Sequence, residues 1–307
     1  MPLHWEYDTR KIAQLVGSGP PEFYSPPLNL WYKGKEGGNT PYGQQALAYL
    51  SVGASGGGSG FFLPSAVEAA YWALYNPSVC PGNSGGWYLD ASTKEFIANI
   101  QAGKHYPNSG GNDNQADAAA HAVIVTALLG GNTSLLLDTL EPVIRVTQDT
   151  QDAAAFGSAA ARLFEKVLVY NYSSGAAAVV DTIAALRDAS RYHPYPQDAA
   201  LADAMEAAVT AAQNGETSLA FIAQTGQSCD YPFTLPNVAF LTSILSDSLS
   251  DLISGARQNV RLRVLHSCPP SLHSLSILAA ILNVFPSTPP PCPFQHIDFK
   301  KDSRWGR

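Results

Sequence analysis

The segment Gly37-Gly38-Asn39-Thr40-Pro41-Tyr42-Gly43-Gln44-Gln45-Ala46-Leu47-Ala48-Tyr49-Leu50 leads from a glycine turn directly into an apolar helix. Thr40 is placed to cap the free backbone amides, and Pro41 falls at the first helical position, where a missing N–H is tolerated. One face of the helix is apolar and is formed by Ala46, Leu47 and Leu50. Backbone at such a turn is open to a ligand or a metal; the alternative is an ordinary capped surface turn. The segment therefore predicts a buried helix whose start is a candidate binding position.

Helical patterns continue along the chain as far as residue 261. Alanine-rich runs indicate closely packed helices, because alanine has the highest helix propensity. We expect helices at Thr9–Val16, Pro64–Tyr75, Ser92–Ala102, Ala116–Leu129, Leu135–Val146, Gln151–Tyr170, Val179–Ser190, Asp198–Asn214 and Pro236–Leu252. Asp8 is placed to cap the first of them, and Asp90 or Ser92 to open the one that ends at Ala102. In the helix from Gln151, apolar side chains recur at helical spacing, which is typical of a central position. No segment alternates as a strand does, so the sequence predicts an all-α fold, a single compact helical bundle.

Glycine and serine dominate Val52–Gly60. Within it, Gly53-Ala54-Ser55-Gly56-Gly57 matches the GxSxG pattern of a nucleophile elbow, which requires a strand before the serine and a helix after it. Here a helix precedes the pattern and more glycine follows it. We therefore interpret Val52–Gly60 as a linker.

Composition excludes several classes of function. The 307 residues carry a net charge of −7, so the chain lacks the basic surface of a nucleic-acid-binding protein. The longest apolar run, Leu275–Phe285, is too short to cross a bilayer, so we expect no membrane association. The start of the chain does not resemble a signal peptide, and the cysteines show no metal-binding or paired spacing. Reduced thiols in a soluble cytoplasmic protein are expected for Cys80, Cys229, Cys268 and Cys292.

The sequence changes character after Arg261. Residues 262–307 are rich in proline, and Pro289-Pro290-Pro291 cannot continue a helix. We expect a helical domain at residues 1–261 and an irregular, disordered or weakly packed tail at 262–307, which we attribute to alternative splicing, a frameshift or intron read-through.

Four segments in this order resemble the ADP-ribosylglycohydrolase superfamily, in particular its J1-crystallin-like branch, over about residues 2–261. They are the glycine turn above, Pro2-Leu3-His4-Trp5-Glu6-Tyr7-Asp8, Gly111-Asn112-Asp113-Asn114-Gln115 and Ser228-Cys229-Asp230-Tyr231-Pro232. The resemblance implies an orthogonal helical bundle. It also implies cleavage of the glycosidic bond between ADP-ribose and an acceptor, with two Mg²⁺ ions held largely by carboxylates and waters.

The residues depart from that family at each expected source of metal ligands. Where active members have an acidic pair at the start of the first buried helix, this chain has Gly43 and Gln44. The late acidic turn is replaced by Leu262–Leu265, and the early helix with its turn does not precede Pro2. We therefore expect no metal ligands, no catalytic residues and no cofactor, with Mg²⁺ relevant only if the activity of the family is retained.

Polar residues at helix starts could still bind an ADP-ribosyl group, which leaves ADP-ribose or an ADP-ribosylated substrate as the expected partner. The candidates are Asn39, Thr40, Tyr42, Gln44, Asn112, Asp113, Asn114, Thr147, Asp149 and Ser228. Local capping of free amides is the alternative role for residues of this type. Cys229 is interpreted as a small apolar residue rather than a nucleophile.

Three functions remain open from the sequence. The first is a catalytically impaired member of the family that serves as a crystallin-like structural protein or an ADP-ribose binder. The second is an active Mg²⁺-dependent hydrolase, and the third is a truncated product without a stable function. Whether the chain is an enzyme is left undecided.

Overall fold

The structure is a computed structural model, and it describes residues 8–17, 41–55, 62–76, 89–170, 172 and 174–244. Eleven helices occur in these residues, and the described chain contains no strand. They are α1 (Thr9–Val16), α2 (Pro41–Ser55), α3 (Pro64–Tyr75), α4 (Ala91–Gln101), α5 (Asp117–Leu129), α6 (Thr133–Arg145), α7 (Gln151–Leu168), α8 (Gly175–Arg187), α9 (Asp198–Gln213), α10 (Ser218–Thr225) and α11 (Tyr231–Ile244). The predicted all-α fold is confirmed.

Helices α5 and α7 form the centre of the bundle. Helix α5 packs against α2, α6 and α7, and its residues are buried on nearly every side. Helix α7 also packs against α8, and small side chains allow the close approach. A Cβ atom on Gly157 would lie 2.3 Å from Cδ1 of Ile144, so a larger residue there would displace the Ile144 side chain from the crossing. Helices α8, α9 and α11 pack together against the other side of α7.

Several helices start where the sequence predicts. Helix α2 begins at Pro41, and Asp8 caps α1 by accepting hydrogen bonds from the amides of Arg10 and Lys11. Helix α4 is capped by Asp90, whose Oδ1 accepts from the amide of Thr93 at 2.6 Å. Thr150 caps α7 in the same way through the amide of Ala153.

The linker assigned to Val52–Gly60 is partly wrong. Residues Val52 to Ser55 continue α2, and Val52 is buried in the core. Tertiary packing outweighs the low helix propensity of glycine at this position. A Cβ on Gly53 would lie 2.4 Å from Cδ1 of Leu128 on α5, so glycine permits the close contact of α2 and α5.

Two helix starts differ from the prediction by four residues or more, and one whole helix was not predicted. Helix α11 starts at Tyr231, five residues before the predicted Pro236, because Tyr231 is buried against Phe156 with ring centres 4.4 Å apart. Helix α8 starts at Gly175 rather than Val179, since Ser174 caps the amide of Ala177. Helix α10, at Ser218–Thr225, was not predicted; Thr217 caps it.

The predicted boundary at residue 261 and the tail at 262–307 lie outside the described residues, as do Cys80, Cys268 and Cys292. In the part of the chain that is described, no helix combines the length and the apolar character needed to cross a membrane.

Candidate functional site

The first turns of α2, α4, α5, α7 and α11 meet around the loop at residues 106–116. Backbone hydrogen bonds hold this loop on two sides. On one side, the amide of Gly111 donates to the carbonyl of Thr147, and the amide of Asp149 donates to the carbonyl of Gly111, both at 2.9 Å. On the other side, the amide of Tyr231 donates to the carbonyl of Asn114 at 3.1 Å. The loop therefore ties the start of α7 to the start of α11.

Glycine is required on the α7 side of the loop. A Cβ on Gly110 would lie 2.5 Å from the carbonyl oxygen of Arg145 and 2.8 Å from the amide nitrogen of Asp149. Both atoms belong to backbone, so a side chain would force the loop away from the turn before α7. On the α4 side, a Cβ on the adjacent Gly111 would lie 2.6 Å from Cβ of Glu95.

Three aspartates lie buried beneath the loop: Asp90 at the start of α4, Asp113 in the loop and Asp117 at the start of α5. The hydroxyl of Ser92 lies between two of them, 2.8 Å from Oδ1 of Asp90 and 3.2 Å from Oδ2 of Asp117. A hydroxyl has a single proton, so it can donate to one carboxylate only. The second carboxyl must carry a proton of its own if it is to bond to Ser92.

The environment assigns that proton to Asp117. Burial, with the nearby Asp90 and Asp113, raises the pKa of Asp117 well above its ordinary value. Burial also raises the pKa of Asp113 to about 6, against the opposing effect of hydrogen bonds from Gln115 and Gln148. Protonated Asp117 can then donate to Oγ of Ser92, which donates in turn to Asp90. The site is a cluster of buried carboxyl groups in which Asp117 retains its proton to a much higher pH than an exposed aspartate does.

Gln45, on the second turn of α2, reaches into this cluster. Its Nε2 donates to Oδ2 of Asp90 at 2.7 Å and approaches Oγ1 of Thr93 at 3.2 Å and the hydroxyl of Tyr75 at 3.3 Å. Both oxygens of Asp90 are therefore already bonded to protein groups. The amide that contacts the acids is that of Gln45, and the adjacent Gln44 is only partly buried.

His121, one turn after Asp117, is buried against the ring of Tyr49, with the ring centres 4.2 Å apart and nearly parallel. Burial lowers the pKa of His121 to about 3, so the imidazole is neutral. Neither ring nitrogen has a hydrogen-bond partner among the described residues. Other buried polar atoms nearby likewise lack a partner in that part of the chain: Oε1 of Gln45, the hydroxyls of Tyr49 and Tyr231, and Oε1 of Gln148.

Sequence reasoning did not identify Asp90, Asp117, Gln45 or His121 as site residues. Asp90 was taken for a helix cap, which it is, and the others lie on alanine-rich or apolar helices where polar residues carry no motif. The available signal was their type: buried aspartate, glutamine and histidine are rare inside a bundle unless they are paired.

The structure brings six predicted residues to this loop region. Asn112 and Asn114 are exposed, and Asp113 beneath them accepts from Nε2 of Gln148 at 3.3 Å. Thr147 is fully buried, and Asp149 forms an ion pair with Arg145 at 2.8 Å. Ser228 lies in the turn before α11, and its hydroxyl donates to Asp230 at 2.7 Å. The carbonyl of the next residue, the half-buried Cys229, accepts from the amide of Ala116 and so joins this turn to the loop. Asn39 and Thr40 lie outside the described residues, as does the side chain of Tyr42.

The start of α2 offers no carboxylate at the position where the resemblance implies metal ligands. Gly43 has no side chain and Gln44 offers a neutral amide, whereas Mg²⁺ takes carboxylates and waters in near-octahedral geometry. The carboxylate of Asp90 is occupied by Gln45, Ser92 and Thr93. Among the residues described, no three histidine, cysteine, aspartate or glutamate side chains are arranged to hold a metal ion.

Comparisons with known proteins agree with the helical architecture. No curated protein matches the chain significantly. The family model described as ADP-ribosylglycohydrolase matches residues 1–263, which is most of the chain. The match includes the glycine turn, the loop at 111–115 and the turn at 228–232. The chain belongs to the ADP-ribosylglycohydrolase family.

Proposed function

We propose that this protein binds an ADP-ribosyl group at the loop of residues 111–115 and that it lacks the two-metal hydrolysis that the resemblance implies. The observation that carries the proposal is the loop itself, which is fixed by backbone bonds to α7 and α11 and presents Asn112 and Asn114 to solvent. The side chains of Asn112 and Asn114 make no hydrogen bond within the described chain. They can bond to ribose hydroxyls or phosphate oxygens without first breaking a protein contact.

The carboxyl cluster supports the second half of the proposal. A divalent ion requires ionised carboxylates, whereas burial raises the pKa of Asp117 well above its ordinary value and that of Asp113 to about 6. The amide of Gln45 donates to Asp90, whose carboxylate also accepts from the hydroxyl of Ser92 and the amide of Thr93. These features stabilise the bundle without a cation.

Two finer assignments belong to the same proposal. The J1-crystallin-like branch is supported by the order of the four quoted segments, and a cytoplasmic location by the unpaired cysteine spacing. A crystallin-like structural role is compatible with both.

The pKa of Asp113 favours one alternative, an active hydrolase. A carboxyl group with a pKa of about 6 can serve as a general acid or base near neutral pH, and glycoside cleavage uses two such groups. In that case the loop would provide the acid, and the ligands of any Mg²⁺ would have to include residues outside the described chain.

Isothermal titration of the full chain with ADP-ribose, with and without Mg²⁺, separates these functions. The proposal expects binding that Mg²⁺ does not strengthen. It also expects about tenfold weaker binding for the double variant Asn112→Ala/Asn114→Ala, since two polar contacts are lost. Asn214→Ala, at an exposed position after α9, is the matched control and should bind as the original chain does. Binding that requires Mg²⁺ would favour the hydrolase and contradict the proposal.

A turnover assay with an ADP-ribosylated peptide completes the test. The original chain and Gln44→Asp should both be inactive, because one restored carboxylate does not make a two-metal site. Measurable hydrolysis by Gln44→Asp alone would show that the other ligands are present.

A further inference from the structure

A pocket lies near the C-terminal end of α7, opposite the end that contacts the loop at residues 111–115. Its volume is about 160 Å³, and it is lined by Thr133, Arg162, Glu165, Lys166, Tyr170 and Tyr172. An apolar protein cavity of about 150 Å³ holds one benzene molecule. The pocket is thus large enough for a ligand of one six-membered ring with a small polar group.

The negative charge of Glu165 is already compensated within the protein. Its Oε1 accepts from the amide of Gly131 at 2.9 Å, and its Oε2 accepts from the hydroxyl of Thr133 at 2.8 Å. Both donors lie at the start of α6, where the helix dipole stabilises an anion. Glu165 therefore needs no cation from a ligand.

Lys166 is compensated as well. Its Nζ forms an ion pair with Asp181, and the hydroxyl of Tyr172 donates to the same carboxylate. The ammonium group also lies 5.9 Å from the centre of the Tyr172 ring. This pair fixes one wall of the pocket, with its aromatic ring in place.

Arg162 is the remaining charge, and no direct ion pair among the described residues neutralises it. The residue is only 7% exposed, and its Nη2 donates to the carbonyl oxygen of Tyr192 at 2.5 Å. Its Nε has no hydrogen-bond partner in the described chain. Two acids stabilise its charge without a direct contact: Asp198, which is paired with Arg191, and Glu165, which is bonded to Gly131 and Thr133. Burial, together with the charge of Arg191, lowers the pKa of Arg162 to about 10, which leaves it cationic at neutral pH.

A buried cation without a direct ion pair is unfavourable, and an anion in the adjoining pocket would reduce that cost. The planar guanidinium matches the two oxygens of a carboxylate, and tyrosine rings favour an aromatic neighbour. We propose that this pocket binds a small aromatic carboxylate, with its ring against Tyr170 and Tyr172 and its carboxylate directed to Arg162. The site is separate from the ADP-ribosyl site and does not depend on it.

Ligand-observed NMR on the full chain tests the charge requirement, with benzoate as the probe and benzamide as its neutral counterpart. Benzoate should bind, and benzamide should bind about tenfold more weakly because the charge-assisted bond is lost. Equal binding of the two compounds, or no binding of benzoate, would overturn the proposal.

Two variants place the binding at this pocket. Arg162→Gln should weaken benzoate binding about tenfold, and Tyr170→Ala, which removes an exposed aromatic wall, about threefold. Arg187→Gln is the matched control, because Arg187 is an exposed arginine on α8 that pairs with Asp203 and Glu206. If Arg162→Gln does not fold, Tyr170→Ala still tests the location of the site, because Tyr170 is exposed just beyond the end of α7 and its loss should leave the fold intact. Unchanged benzoate binding in Tyr170→Ala would exclude this pocket, and unchanged ADP-ribose binding in both variants would show that the two sites are separate.

Discussion

The two ends of α7 manage buried charge in different ways. At its start, Asp113 and Asp117 are buried close to Asp90, and burial with mutual repulsion raises their pKa values above those of exposed aspartates. At its end, Glu165 accepts hydrogen bonds at a helix start, and Lys166 pairs with Asp181. The same helix thus separates a region of buried acids with raised pKa values from one in which protein partners compensate Glu165 and Lys166. The first should respond strongly to pH, and the second should respond weakly and in the opposite direction.

The largest difference between the two ends should be steric. Gly110→Ala at the start of α7 places a Cβ against backbone atoms of Arg145 and Asp149, which should cost about 3 kcal/mol in the free energy of unfolding. Gly131→Ala at the other end meets only a methyl group of Val169 at 3.5 Å, so backbone strain at φ +96° is its main cost, about 1 kcal/mol. Urea unfolding of both variants measures the contrast. Equal losses would mean that the loop adapts to a side chain.

The pH dependence of stability should be set by the acids at the start of α7. A folded-state pKa raised above the unfolded value gives stability that is present at low pH and is lost as pH rises through the folded pKa. For Asp113 the loss falls between about pH 4 and pH 6, and we expect on the order of 1.5 kcal/mol because the exposed loop screens the charge. Urea unfolding from pH 4 to pH 7 should show this decline in the original chain and a smaller one in Asp113→Asn. A stability that rises over this range would contradict the assignment of protons to the cluster.

His121→Phe tests whether the unpaired imidazole has a hidden partner. The change keeps an aromatic ring against Tyr49 and removes two buried nitrogens without hydrogen bonds, so it should stabilise the fold by about 1 kcal/mol. Thermal unfolding followed by circular dichroism provides the measurement, with His105→Phe as a control at an exposed histidine that contacts Glu68. A loss of stability in His121→Phe would show that the ring nitrogens bond to a group outside the described chain.

The smallest effect should come from the far end of α7. Lys166 and Tyr172 bond to Asp181 and lower its pKa, so its contribution is present at neutral pH and is lost as pH falls through the folded pKa. Because Asp181 is nearly half exposed, Asp181→Asn should cost only about 0.5 kcal/mol at pH 7 and less at pH 3. The pH dependence from Asp181 is therefore opposite in sign to that from Asp113. If the stability lost in Asp181→Asn grew as the pH fell, the distinction between the two ends would be wrong.

A single cooperative transition in these melts would also exclude the third function considered from the sequence, a truncated product without a stable core. A broad transition with dye-binding apolar surface would support it.

The fold could be predicted because its signals are local. Caps such as Asp8 and Asp90 and the proline at the start of α2 mark helix ends without reference to the rest of the chain. The start of α11 could not be predicted, because the contact of Tyr231 with Phe156 that extends it joins residues 75 positions apart in the sequence. Helix α10 has eight residues and offers too little periodicity to recognise.

The candidate site could be predicted only at its surface. The polar loop at 111–115 follows glycines and precedes a helix, so it has a motif. The buried cluster has none, because Gln45, Asp90 and Asp117 come from three helices and meet only in the folded bundle. What their proximity does to the pKa of Asp117 depends on distances that spacing in the chain does not contain.

The double attachment of the loop has a consequence for motion. Opening the whole of residues 111–115 toward solvent requires that the bonds to the turn before α7 and to the first residue of α11 break together. The amides of Gly111, Asp149 and Tyr231 should therefore exchange with deuterium at one common rate, and any molecule that settles on the loop should slow all three alike.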